Sequence, residues 1–312
     1  MHFNKLDLNL LVALDALLTE LSISRAAERL HMSQPAMSNA LARLRSYFDD
    51  PLLVQVGRRM EATPRAEALR DAVRDVLVRV DATITAQPRF DPAQSDREFN
   101  LLVSDFTLSV IGTQLLSLAA RQSATVRFRF HSQVDNPQRA LERGEVDMLV
   151  IPSGYCSPDH PTDTLFEESF SCIVWRESRL ARQGHLSFDE YTAAGHVVMQ
   201  PPGGVTFESW FMQRYGVSRR VEVTSFSFAT APSLVVGTQR IATVHTRLAR
   251  LAATYLPLTL LEPPMPMPRM QQAIQWHKYR TQDPGLVWLR QLLHDAAAAM
   301  DSAWASSEPP AP

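Results

Sequence analysis

Apolar positions fall at helical spacing in the first part of the chain and in short strand-like runs after it. Leu6, Leu10, Leu11, Leu14, Leu17 and Leu18 share one stripe and predict a first helix. Ser22 or Ser24 offers an N-cap for a second, short helix carrying Ala26, Ala27 and Leu30. After a break at His31 and Met32, Ser33 can cap a third helix. Pro35 lies in its first turn, where a missing amide costs nothing, and Ala36, Met37, Ala40, Leu41, Leu44 and Phe48 form its buried face. Two short helices joined by a tight turn, with alanines where they cross, predict a helix-turn-helix over residues 23–42. Leu52–Val56, a Gly57-Arg58-Arg59 tip and Met60–Ala62 predict a β-hairpin with a basic tip, a wing beside the third helix.

A further helix is predicted from Pro64 to about Ala86. Ala66, Leu69, Val73, Val76 and Val80 are spaced 3, 4, 3, 4, the a/d pattern of a coiled coil, between charged flanks. We read this stripe as a dimer seam, although a helix packing on its own domain would show it too. Residues 88–97 carry two prolines and no periodicity, as a hinge does. Residues 98–301 then alternate strands and helices. Phe99–Val103, Val126–Phe130 and Asp147–Ile151 are the first strands, which predicts a parallel sheet with right-handed crossovers. A second unit holds strands near 196–199, 219–223, 241–244 and 258–261, with helices near 207–215, 229–236 and 247–255; Met270–Trp276 and a helix over Pro284–Met300 return to the first unit. The fold class is therefore an N-terminal, essentially all-α winged helix-turn-helix (1–63) with a long dimerisation helix (64–87), then a hinge and a C-terminal α/β two-lobed domain. Lobe 1 takes about 98–164 and 268–301, lobe 2 about 165–267, and residues 302–312 read as a disordered tail.

At 312 residues the chain has room for two domains and a large core, so it needs no disulfide or metal staples. Cys156 and Cys172 are too few for a disulfide framework or zinc ribbon. The net charge of −2 excludes a highly basic, chromatin-like protein. Locally the balance differs: Ser22–Arg65 holds seven arginines against Glu28, Asp49, Asp50 and Glu61, a local +3. The start of the chain makes a poor signal peptide and no apolar run suits a membrane span, so a cytoplasmic protein is expected. No Gly-x-Ser-x-Gly elbow, Walker loop, Gly-x-Gly-x-x-Gly or His-Glu-x-x-His motif occurs, which argues against an enzyme, and no cofactor is expected. A stand-alone solute-binding protein would have no use for residues 1–87.

The third helix presents Ser33, Gln34, Ser38, Asn39 and Arg43 as polar side chains. Gln and Asn can pair with adenine through two hydrogen bonds, Ser can serve either way, and the helix start suits a phosphate. Such residues also decorate any solvated helix; the turn, the wing and the long helix beside them favour double-stranded DNA. The segment Ser24-Arg25-Ala26-Ala27-Glu28-Arg29-Leu30-His31-Met32-Ser33-Gln34-Pro35-Ala36-Met37-Ser38-Asn39-Ala40-Leu41-Ala42-Arg43-Leu44-Arg45 resembles the signature of LysR-type transcriptional regulators. Asp7-Leu8-Asn9-Leu10-Leu11, Arg45, Thr63-Pro64-Arg65-Ala66-Glu67-Ala68-Leu69 and Gln275-Trp276 are similar to one branch of that family. That branch holds the nodulation regulators, which answer to flavonoids, and the regulators of naphthalene, nitroaromatic and chlorophenol degradation. The resemblance implies DNA contacts at Gln34, Pro35 and Ser38 and at Arg58 of the wing; Arg25, Ser33, Asn39, Arg43 and Arg59 join them as candidates. Many members have Glu in place of Arg45, Arg in place of Gln55 and Gly in place of Ala66. The resemblance also implies a homodimer paired into a homotetramer on an inverted-repeat site, contact with RNA polymerase and activation of transcription.

The C-terminal domain resembles a periplasmic binding protein, as the family's effector domain does. Ligands of open α/β sheets sit at the carboxyl ends of strands near helix N-termini. That rule nominates Ser104, Phe106 and Thr107 after the first strand, able to hold a carboxylate or phenolate, and Pro152, Ser153 and Tyr155 after the third. In the second lobe it nominates Gln200, Gly203, Phe226, Phe228 and His245. Aromatic walls with a few polar groups predict a pocket for a small aromatic effector. Each residue has an ordinary reading as well: Ser104 as a cap, the phenylalanines as core, His245 as a loop histidine. A regulator that is ligand-independent, or redox-responsive through Cys156 and Cys172, is the alternative.

Overall fold

The computed structural model describes residues 6–57, 59–84, 89–200 and 206–305, and the chain divides into two compact units, one of residues 1–86 with 142–145 and one of the rest. In the first unit, α1 (Leu8–Glu20) buries Leu10, Leu14, Leu17 and Leu18 and is capped by Asp7. Ser22 caps α2 (Ile23–Arg29), which buries the two alanines Ala26 and Ala27. The absence of longer side chains there permits a close helix crossing. A tight turn follows, with His31 at φ 53° and the Met32 amide on the Ala27 carbonyl at 2.8 Å. Then α3 (Gln34–Phe48) buries Met37, Ala40, Leu41 and Leu44. The hairpin β1 (Leu53–Val56) and β2 (Arg59–Ala62) pairs antiparallel from Leu53↔Ala62 to Val56↔Arg59, so the unit is not purely helical. Last comes α4 (Pro64–Ile84), whose Ala66 and Val73 belong to the same apolar core as α1 and α3.

The second unit holds two five-stranded sheets. The first runs β4 (Arg127–His131), β3 (Glu98–Val103), β5 (Met148–Pro152), β12 (Met270–Trp276), β6 (Thr162–Glu168), and the second runs β11 (Leu258–Leu261), β7 (Phe170–Trp175), β10 (Ile241–His245), β8 (Gly195–Met199), β9 (Arg220–Ser225). Each contains the expected parallel core, β4-β3-β5 and β10-β8-β9. Each is completed by antiparallel strands, β12 with β6 and β7 with β11. The sheets as a whole are mixed because β12 and β7 enter from the other lobe and run against their neighbours. The first crossing is at Ser169, between β6 and β7, and not at residue 164, which lies inside β6.

Helix α5 (Asp105–Arg121) and α11 (Pro284–Ala305) pack on the first sheet, their apolar faces meeting Phe99, Leu101, Val150 and Ile274 in one core. Around the second sheet lie α7 (Arg179–Gln183), α8 (Phe188–Ala193), α9 (Phe207–Arg214) and α10 (Thr246–Ala253); α6 (Pro137–Glu142) leads into β5. A short 3-10 turn over Ala231–Val235 replaces the helix expected at 229–236, where Pro232 removes an amide donor. Residues 302–305 continue α11, so they are helical and not tail. Part of the expected hinge is likewise packed: the Phe90 ring lies 5.9 Å from Phe99 and 5.4 Å from Trp288, which anchors it to the core of the first sheet.

Candidate DNA-reading face and effector cavity

On α3 the buried side is apolar and the opposite side is polar. Gln34, Pro35, Ser38, Asn39 and Arg43 are all exposed. Ser33 Oγ accepts the Ala36 amide at 3.3 Å, which fixes the helix start. The arginines are steered by surface acids. Arg43 donates to Asp7 at 3.2 Å, and Glu20 faces both Arg25 (3.5 Å) and Arg29 (3.0 Å). Exposed pairs of this kind are worth well under about 1 kcal/mol, so a phosphate can replace the carboxylate at little cost. Arg59 is exposed on β2 beside Gly57, where φ is 63°; Arg58 lies outside the described residues. The five residues of the a/d stripe divide. Ala66 and Val73 are buried in the unit's own core and Leu69 packs against it, while Val76 is exposed and Val80 half-buried. The intrachain reading therefore holds for the first part of the stripe, since the turns of α4 beside α1 are covered by the same chain.

Within the second unit a cavity of about 360 Å3 opens between the two sheets. Ser104, Phe106, Pro152, Tyr155, Phe228 and His245, all nominated from the sequence, line it. Thr107 stands just behind. Its hydroxyl bonds Ser104 Oγ at 2.9 Å and accepts from Gln272 Nε2 at 3.1 Å. Gln200 and Phe226 do not line the cavity. Gln200 is exposed and its amide bonds the Ser225 carbonyl, and Phe226 is 81% exposed. The turn closed by the Ser227 amide on Ser225 Oγ sends Phe226 outward and Phe228 inward. Gly203 lies outside the described residues.

Sequence reasoning missed several wall residues: Phe170, Phe207, Glu208 and Gln272. His245 is buried at the end of β10, stacked on Phe106 and edged by Phe170 and Phe228 with ring centroids 5.1 Å away. Burial pushes its pKa down to about 3, so the ring is neutral. Its Nδ1 and the Oε1 of Gln272 are buried without a hydrogen-bond partner among the described residues. Among the described residues of the wall, the charged ones are Asp135 and Glu208. Glu208 is clamped by Arg219, which also reaches the Tyr191 hydroxyl at 3.4 Å; that hydroxyl in turn bonds Thr243 at 2.8 Å. The start of α5 already carries a carboxylate: Asp105 accepts from Ser227 Oγ (2.7 Å) and the Ala229 amide (3.1 Å) across the lobes.

Cys172 is fully buried and its pKa is pushed up to about 12 by burial; burial also raises that of Cys156. Among the described residues no cluster of His, Cys, Asp or Glu could hold a metal ion, and no helix is long and apolar enough to cross a membrane.

A helix-turn-helix with an outward polar helix, followed by a two-lobed domain around a cavity, defines a DNA-binding transcriptional regulator. The profile of bacterial regulatory helix-turn-helix proteins of the lysR family matches residues 8–67, and that of the LysR substrate binding domain matches residues 93–298. The chain belongs to the lysR family. It is 41% identical to nodulation protein D of Bradyrhizobium sp. (strain ANU 289), covering 100% of this chain and 92% of that one. It is 40% identical to nodulation protein D 1 of Rhizobium meliloti (strain 1021), covering 96% and 98%. Among solved structures it resembles a cysteine variant of full-length OxyR from Pseudomonas aeruginosa (TM-score 0.72, 18% identity, 94% of each chain). It also resembles full-length CbnR in complex with its target DNA (TM-score 0.60, 16% identity, 93% of this chain and 100% of that one). At those identities the two structures speak for the fold.

Proposed function

We propose that a small, uncharged, hydroxylated aromatic effector binds between the lobes and controls how this regulator sits on promoter DNA. The observation that carries the reading is the pair of buried, unpartnered atoms His245 Nδ1 and Gln272 Oε1 in an aromatic cavity. An unpaired buried polar atom costs about 1–3 kcal/mol, and a ligand hydroxyl on Gln272 Oε1 would recover it. With His245 neutral, Asp135 in the wall and Glu208 already paired with Arg219, the described wall offers a carboxylate no free cation, which disfavours the carboxylate that the sequence left open. Raised thiol pKa values weigh against redox control, because the thiolate is the reactive form. Two chains joined along the exposed end of α4 would set their recognition helices about one turn of DNA apart on an inverted repeat, and pairs of dimers would form a tetramer. The effector acts only through its differential affinity for two lobe arrangements, and so through DNA bending and contact with RNA polymerase in the cytoplasm.

The test is a thermal-shift titration of the full chain with hydroxylated aromatics and their carboxylated counterparts, beside gel shifts on the DNA upstream of its own gene. Stabilisation by the uncharged compounds alone, with an altered DNA complex, is expected. Preference for the carboxylates, or stabilisation with no change on DNA, would overturn the reading.

A further inference from the structure

Between the recognition helix and the wing the chain takes an unusual path. Asp49 ends α3 with φ at 50°, and three residues later Leu52 again has positive φ, at 58°. Leu52 is fully buried in the core of the unit, so its side chain cannot give way to glycine without a cavity. The Leu53 amide reaches back to the Pro51 carbonyl at 2.6 Å, which makes Pro51-Leu52-Leu53 a γ-turn of the rare positive-φ kind. A residue held in such a region persists only where its surroundings over-determine it.

The surroundings here come from α3, from the loop itself and from the residue that precedes α4. From α3, Arg45 donates Nε to the Pro51 carbonyl at 2.8 Å and Nη2 to the Leu53 carbonyl at 2.9 Å, spanning the turn with one guanidinium. From below, Asp50 Oδ1 accepts the Leu52 amide and the Thr63 hydroxyl, both at 2.7 Å. From just before α4, the Thr63 amide bonds the Leu52 carbonyl at 3.0 Å, while its hydroxyl accepts the Ala66 amide. The Pro51 and Leu53 carbonyls are thus tied to α3, and the Leu52 carbonyl to the residue just before α4.

We propose that Arg45 is a positioning residue for DNA binding: its fork on Pro51 and Leu53 sets the angle at which the wing leaves the recognition helix. The wing tip lies about five residues beyond the turn, or about 16 Å at strand rise. A swing of about 10° at the turn therefore moves the tip by nearly 3 Å, enough to lose a hydrogen bond to a phosphate. This inference rests on the reading that the wing touches DNA.

The test uses the full chain with DNA from upstream of its own gene, and affinity is measured across a salt series. Arg45→Ala, Arg45→Lys, Arg59→Ala and the double variant Arg45→Ala with Arg59→Ala are compared. Arg45→Ala and Arg45→Lys should each weaken binding by about five- to tenfold and lower the salt slope by about 1. The double variant should bind no more weakly than the weaker single variant, because both act through the wing. Lys keeps the charge and the stem, so this variant stays informative if Arg45→Ala does not fold. Wild-type affinity in Arg45→Lys would mean that Arg45 meets a phosphate directly and would overturn the proposal. So would multiplying effects in the double variant. An unchanged salt slope in Arg59→Ala would remove the wing contact and the proposal with it; a lowered slope there with none in the Arg45 variants would sink the clamp alone.

Discussion

The imidazole of His245 lies flat on the ring of Phe106, with centroids 3.7 Å apart and planes 10° from parallel. One ring comes from lobe 2 and the other from lobe 1, so the stack spans the cavity. Its stability should depend on pH. The folded pKa of His245, about 3, lies below the ordinary 6.5. The unfolded chain then binds the proton first, so the contribution is complete above about pH 6.5 and is lost as pH falls below it. At pH 5 the loss amounts to about 2 kcal/mol. His245→Phe should flatten the fall in melting temperature between pH 7 and 5; an unchanged fall would mean the histidine is not buried in the neutral form.

Gln34→Ala should weaken binding to the operator by about 1–3 kcal/mol and leave binding to random DNA almost unchanged, as expected of a side chain that reads a base edge. Competition titrations measure the ratio. Equal losses on both DNAs would assign Gln34 to the backbone.

Thr107→Val removes the hydroxyl that links Ser104 to Gln272. Gln272 Nε2 then loses its partner, at about 1–3 kcal/mol, while Ser104 Oγ keeps the Thr107 amide. The effector domain should melt earlier and the effector response should fail, while operator affinity at low temperature is kept. Operator binding lost in a folded variant would contradict this.

Glu208→Ala leaves the Arg219 guanidinium buried without its carboxylate, since both side chains are less than a tenth exposed. Removing one partner of such a pair typically costs about 3–5 kcal/mol. A melting curve within a degree or two of wild type would show that the pair is solvated.

The stripe on α4 calls for two variants. Val76→Asp, at an exposed position, should halve the mass in light scattering without lowering the melting temperature. Val73→Asp puts a charge in the chain's own core and should unfold the first unit. If Val76→Asp leaves the mass unchanged, the seam lies elsewhere.

What could be read from the residues alone depended on how local the cause was. Ser33, Pro35 and the Met37–Leu41–Leu44 face specify α3 within one segment, so the helix and its outward side were legible. Ser104 and His245 were found because both stand at the carboxyl end of a strand. Gln272 was not, because it sits inside β12, and only pairing with β5 and β6 brings it to Thr107. Phe170 was missed for a related reason: residues 162–175 form two strands in two sheets, and the break at Ser169 carries no glycine or proline to mark it. The a/d stripe misled in part because one apolar face serves equally for a neighbour in the same chain.

Because β12 lies between β5 and β6, and α11 completes the core over them, lobe 1 cannot be finished until the last residues of the chain have been made. Lobe 2, whose strands all fall between residues 170 and 261, has its whole sheet available earlier. During synthesis the cavity between the two sheets therefore has one wall before the other. A chain stopped shortly after residue 261 would carry the whole second sheet, while the first, without β12 between β5 and β6, would be split in two.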